Sequence, residues 1–471
     1  MSPCLRVRPH SKIGWHVIRY SEGHETGQPF IQIRDKHMNP LHTTEIQIAN
    51  KNVVSRRSLL RTLGLGAAAS AGASLSLSWK DAVALEAQEL KKKGLSCILL
   101  WMQGGPSQFE TFSPKPDHAN GGETKAIKTN VAGIEISEHL PETAKVADHM
   151  CIIRSMTSKE GSHPRASYLM HTGYLPSPSV KYPSLGSIVY HELGDAAGEL
   201  PGFVRIGQSR FGDGGGLFGV EYDPFVVGDA KRPPANTTVY GGDDRYKRRL
   251  GLLGKLEEGF AKEGGKQEVE DQKKIYAKAS RLVLSPKMDV FDLEKEPAKA
   301  REAYGDSNFG AGCLLARRLV SSGVPFVEVN LGNWDTHQDN FTKTTELCGQ
   351  MDKPYAALIK DLAQRGMLDK TLVVWMGEFG RTPKINPNTG RDHYPRAFNV
   401  ALAGGGVKGG QIIGQTDAGG SDVKDRPVGV NDLLKTICHG LNIDATKENM
   451  SSIGRPIKIV DGGEVVKEVF A

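Results

Sequence analysis

Ser96-Cys97-Ile98-Leu99-Leu100-Trp101-Met102 is an unbroken apolar run of strand length, and Gln103-Gly104-Gly105-Pro106-Ser107 follows it at once. An apolar run without polar alternation reads as a strand covered on both faces, and the glycine-rich turn after it delivers a loop to the sheet edge. Similar runs recur at Met150 to Met156 (MCIIRSM), Pro325 to Leu331 (PFVEVNL), Thr371 to Met376 (TLVVWM) and Ala397 to Ala403 (AFNVALA). Between them lie helical patterns. Gly310 to Ser322 is apolar at Cys313, Leu314, Leu319 and Val320, and in Phe341 to Arg365 the residues Leu347, Met351, Leu358 and Leu362 keep helical spacing. Strands alternating with helices predict an α/β fold with a mostly parallel central sheet flanked by helices. Residues 228 to 300 are polar, charge-dense and weakly periodic, and read as a helical insertion.

The 471 residues allow a substantial core, and 38% hydrophobic and 24% charged residues with 55 glycines describe a loop-rich globular protein. Most of the formal charge of +6 is carried ahead of residue 88: residues 1 to 87 hold 11 Lys and Arg against 6 Asp and Glu, leaving 49 against 48 in the remainder. A near-neutral globular part offers no electrostatic footprint for nucleic acid. The six cysteines (Cys4, Cys97, Cys151, Cys313, Cys348, Cys438) show no CxxC spacing and read as small buried hydrophobes.

Ser55-Arg56-Arg57-Ser58-Leu59-Leu60-Arg61 precedes the small-residue run Thr62 to Leu77, which is too short and too weakly apolar for a stable membrane span. Adjacent arginines before such a run, with small-residue cleavage candidates at Ala82-Val83-Ala84 or Leu85-Glu86-Ala87, resemble a twin-arginine export signal. The expected organisation is an extension over 1–37, whose start a methionine at position 38 makes doubtful, a signal region over 38–87, and the folded part over 88–471. The expected location is the periplasm or cell envelope, reached through the twin-arginine export machinery.

In a parallel sheet ligands gather beyond the carboxyl ends of the strands. After the third run stands Asn333-Trp334-Asp335-Thr336-His337, after the fourth Gly377-Glu378-Phe379-Gly380-Arg381, and before the fifth Gly390-Arg391-Asp392-His393-Tyr394. Asp335 and His337 alternate on an extended segment and point to one side. Glu378 adds a hard oxygen, and Asp392 serves either as a ligand beside His393 or as the carboxylate that orients it. Each pair alone also reads as a turn with a surface histidine. Three clusters at successive strand ends favour one divalent cation, and mixed His and carboxylate donors exclude an iron-sulfur cluster. After the second run, Ser162-His163-Pro164-Arg165 opens a helix, with Ser162 or His163 as cap and Arg165 as a partner for an anion.

The order WMQGGPSQFETFSPKPD, GSHPRASYLMHTG, NWDTHQDN, GEFGRTPKIN and GRDHYP over residues 94 to 445 resembles the exported family called domain of unknown function 1501, abundant in planctomycete-type genomes and placed in the alkaline phosphatase and sulfatase superfamily. The resemblance implies an alkaline-phosphatase-like three-layer fold and a hydrolase of phosphate or sulfate esters, sulfated or phosphorylated glycans among them. It implies metal ligands at Asp335, His337 and His393, with Asp392 in support, one cation (Zn, Mn, Ca or Mg) per chain, and Glu378 at the place of an Asp of a second metal site. It implies Ser162 as nucleophile, His163 as ligand or acid/base, and Arg165 and Arg381 as anion holders. Phe379 stands where a His of a second metal site is expected, and Gln103-Gly104-Gly105 where an Asp is expected unless Glu110 reaches back. Ser162-His163-Pro164-Arg165 is one residue short of a formylglycine motif and lacks its Cys. The alternative is a sulfatase-like fold kept as a non-catalytic binding or scaffold protein of the envelope.

Overall fold

Every residue of Ser96–Met102 (β1) is buried, and its alternation explains why both faces must be covered. Ile98, Leu100 and Met102 enter one core while Cys97, Leu99 and Trp101 enter another. The computed structural model describes residues 94–470 apart from 210–213, 236, 238 and 240, together with the backbone of three short strands nearer the N-terminus. The chain divides into two units, Met1–Glu86 and Ala87–Ala471. In the first, Val17–Glu22, Pro29–Arg34 and Glu45–Gln47 pair as an antiparallel sheet. Arg56, Arg57 and the run Thr62 to Leu77 lie outside the described residues.

In the second unit β1 joins Met150–Thr157 (β2), Phe203–Ile206 (β3), Phe225–Val227 (β4), Phe326–Leu331 (β5), Thr371–Met376 (β6), Phe398–Ala403 (β7), Gln411–Ile413 (β8) and Val428–Gly429 (β9). The sheet runs β8-β2-β7-β6-β1-β5-β3-β4, with β9 also paired to β2. β7 is antiparallel to both neighbours, and the other pairings are parallel. The mostly parallel α/β sheet expected from the sequence is therefore present.

The helices are His163–Thr172 (α1), Leu185–Leu193 (α2), Asp243–Lys262 (α3), Lys266–Val283 (α4), Ala298–Tyr304 (α5), Asn308–Ser321 (α6), Asn340–Gln364 (α7) and Val430–Gly440 (α8). The apolar residues of α6 and α7 fill the core on one face of the sheet, and those of α1, α2 and α8 fill the core on the other. The result is three layers, each face losing its apolar surface to water-free contact.

This topology fixes where the site must be. β1, β2, β5 and β6 point the same way, so their exits share one edge. β7 runs oppositely, so its entrance, just after His393, reaches that same edge. All five cysteines of the second unit are buried and free.

Candidate metal centre

Asp335 reaches the edge because Asn333 adopts a left-handed backbone (φ 72°) and the wholly buried Trp334 anchors the segment before it. Asparagine is among the few residues that tolerate that conformation. The turn after β1 packs tightly on this segment. A Cβ on Gly104, whose φ is +116°, would lie 2.6 Å from the Asp335 amide nitrogen, so only glycine fits there.

Around the Asp335 Oδ1 atom stand three imidazoles, with His337 Nε2 at 3.1 Å and His163 Nε2 and His393 Nε2 each at 3.3 Å. The Nε2 atoms of His337 and His393 are 3.0 Å apart. The ligand atoms of His163, Asp335 and His393 all fall within 4.8 Å of one another.

What lies behind each ring fixes its orientation. His163 Nδ1 is 2.7 Å from Glu378 Oε1, His337 Nδ1 is 2.7 Å from Asp392 Oδ1, and His393 Nδ1 is 2.9 Å from the Gly161 carbonyl. Carboxylates and carbonyls only accept, so each Nδ1 carries the hydrogen and donates it. With a cation bound, each ring would present its Nε2 lone pair on the side of the same carboxylate oxygen. Buried His163 Nε2 faces Asp335 Oδ1 at 3.3 Å. Three Nε2 atoms within 3.1–3.3 Å of one carboxylate oxygen, two of them 3.0 Å apart, concentrate electron density that positive charge among them would relieve.

A divalent cation fits this donor set. Tetrahedral zinc with bonds of about 2.0–2.1 Å separates its ligand atoms by roughly 3.3–3.4 Å, and the three Nε2 to Asp335 Oδ1 separations of 3.1–3.3 Å approach that spacing, with His163, Asp335 and His393 forming the compact group and His337 at its border. The charges agree as well. Asp335, Glu378 and Asp392 against Arg381 leave two negative charges for two positive ones. Burial alone would strip the charge from His163, but hydrogen bonds and proximity to Asp335 and Glu378 raise its pKa to about 9. Burial also opposes charge on Asp335, yet His163, His393 and Arg381 hold its carboxyl far below the ordinary carboxylate range. The negative field that retains a proton there is the field that would retain a metal ion.

The remaining candidates take other posts. Glu378 is fully buried behind His163 and also accepts the Gly104 amide through both oxygens, at 2.9 and 3.2 Å. Asp392 stands behind His337. Arg381 is fully buried and donates to Asp335 Oδ1 at 2.6 Å, to the Gly105 and Arg391 carbonyls at 2.8 and 3.1 Å, and to the Gly104 carbonyl. Its guanidinium therefore braces Asp335 and the first turn. Glu110 does not reach back to the site, because it pairs with Arg391 at 2.8 Å where both are fully buried. Ser162 is the exposed N-cap residue of α1, its side chain makes no capping bond, and Pro164 occupies the first turn. Arg165, half exposed, is held by Glu160 at 2.6 Å.

Two contributors escaped the sequence reading. The Gly161 carbonyl, which orients His393, belongs to a residue with no side-chain signal. The ring of Phe379 lies 4.8 Å from that of His163 and 4.6 Å from that of His393, and closes that side of the cluster with an apolar wall.

Known proteins give the following likenesses. A lipoteichoic acid synthase from Listeria monocytogenes is 11% identical with a TM-score of 0.35, over 79% of this chain and 75% of that one. A sulfatase from a Pseudoalteromonas species is 14% identical with a TM-score of 0.37, over 76% and 71%. A protein of the alkaline phosphatase superfamily from Vibrio parahaemolyticus is 13% identical with a TM-score of 0.34, over 75% and 67%. No curated protein matches the chain. The model of the family described as Protein of unknown function (DUF1501) matches residues 95–470, and the chain belongs to that family.

Proposed function

We propose that this chain is an exported, metal-dependent hydrolase of phosphate or sulfate esters. The observation that carries the reading is the gathering of three imidazole Nε2 atoms within 3.1–3.3 Å of one carboxylate oxygen at the sheet edge, with His163, Asp335 and His393 as the compact group. Asp335, His163, His337 and His393 would hold the ion. A divalent cation there supplies Lewis acidity toward an ester oxygen and lowers the pKa of a bound water.

The chain's own residues do the rest. Glu378, Asp392 and the Gly161 carbonyl fix the ring tautomers, so the lone pairs need no reorganisation before binding. Ser162, one residue before the ligand His163 and free of a capping bond, offers a hydroxyl at the amino end of α1 for attack on phosphorus or sulfur. That helix end and Arg165 favour the negative charge of the ester group. Export rests on the Arg56-Arg57 pair and the small-residue run after it.

A non-catalytic binding or scaffold role in the cell envelope is favoured by Phe379, whose ring stands where a second cation's ligand would be needed for two-metal chemistry. Hydrolysis of aryl phosphate and aryl sulfate by the metal-loaded protein separates the two readings. Turnover that His163→Ala abolishes supports the hydrolase. A loaded protein inert toward both esters, yet retaining their anions, supports the scaffold.

A further inference from the structure

α3 is the least integrated helix of the second unit. None of its residues is buried, and the half-buried ones, Tyr246, Leu250, Leu253, Gly254, Glu257 and Ala261, recur at helical spacing as the stripe packed on α4. The opposite stripe is exposed and still apolar at its centre. Leu252 is 59% exposed, Leu256 69% and Phe260 57%. They lie at i, i+4 and i+8 on one face, where isolated exposed apolar residues would scatter.

The same face carries opposite charges at its two ends. At 100° per residue Arg245 and Glu263 both fall within about 20° of Leu256, one some three turns before it and the other at the helix C-cap, about 27 Å apart. Both are exposed. From its N-terminal end the stripe reads Arg245, Arg249, Leu252, Leu256, Phe260, Glu263: basic, basic, apolar, apolar, apolar, acidic. Such a stripe is complementary to itself when a second copy is laid antiparallel upon it.

We infer that the exposed face of α3 is an isologous dimer contact with a second copy of this chain. A two-fold axis beside residue 254 sets Arg245 opposite Glu263 of the second copy and Leu252 opposite its Leu256, and the same pairs repeat in reverse. Six large apolar side chains leave water together, and each end of the contact is closed by an ion pair. An anionic lipid surface would repel Glu263 at the end of the stripe, whereas a second copy pairs it.

The test is sedimentation equilibrium of the full chain and its variants across about 1–100 µM. The parent should dimerise. Arg245→Glu and Glu263→Arg should each weaken association about tenfold, since each replaces two attractive pairs by two repulsive ones, and the double exchange should restore it. Leu256→Glu, which sets two carboxylates near the axis, should leave only monomer. These positions are exposed and far along the chain from the metal ligands, so circular dichroism and metal content should be unchanged in all four variants. A monomeric parent at 100 µM overturns the proposal. So does a dimer that ignores both single charge reversals, or a monomeric parent that sediments with phosphatidylglycerol vesicles.

Discussion

At the scale of single residues, the site is decided by what stands behind each histidine. Removing the Glu378 charge while keeping its shape is therefore the sharpest probe of orientation. Glu378→Gln should weaken metal binding about 10–100-fold by isothermal titration calorimetry, because an amide holds His163 less firmly and puts a donor against the Gly104 amide. Unchanged affinity would remove Glu378 from the site. Ser162→Ala should leave metal content intact and lower turnover on the order of 10³-fold or more if the hydroxyl attacks the ester. It should cost well under the ~1 kcal/mol of a lost cap, since no capping bond exists to lose. Full activity would point to a metal-bound water as the attacking group. The sequence exposed Asp335, His337 and His393 as chemistry because polar side chains at strand ends stand out locally. It could not expose the pairing of Glu110 with Arg391, residues 281 positions apart, or a backbone carbonyl acting on His393.

Among the elements, the five long apolar runs were legible as strands because burial on both faces leaves no polar alternation to confuse. β3 and β4 were not, being three or four residues long, and β3 carries a charge at its centre. That charge, Arg205, is buried against Glu328 of β5 at 3.0 Å, with His171 of α1 at 3.7 Å from the same carboxylate and its ring against Trp101. The cluster ties the helix that begins at His163 to the sheet beneath it. Burial would raise the Glu328 pKa, but Arg205 and His171 outweigh it and hold the carboxyl at about 2, against about 4.3 for a free glutamate. A depressed acid contributes stability above its unfolded pKa and loses it as pH falls from about 4.3 toward 2. Glu328→Gln should thus cost about 3–5 kcal/mol near neutral pH and flatten the acid limb of a melting-temperature profile over that window. A variant with the parent's acid limb would show that the pair is not the source.

For the molecule as a whole, the proposed function places chemistry on the near-neutral residues from 88 onward and export on the basic residues before them. Among the described residues no helix is long and apolar enough to cross a membrane. Changing Arg56 and Arg57 together to Lys should leave folded precursor in the cytoplasm by fractionation and immunoblot, and normal accumulation of the mature form outside it would contradict twin-arginine export. A bound ion also stabilises the native state by mass action, about 4 kcal/mol at a free concentration 1,000 times its Kd, so chelation should lower the melting temperature of the parent and not of Asp335→Ala. The most direct measurement is elemental analysis of the purified protein and of Asp335→Ala and His393→Ala, by inductively coupled plasma mass spectrometry after dialysis. About one equivalent of a single divalent metal in the parent, lost from both variants, is the result expected from three imidazole Nε2 atoms gathered around one carboxylate oxygen. A metal-free parent, two equivalents, or metal retained in both variants would contradict it.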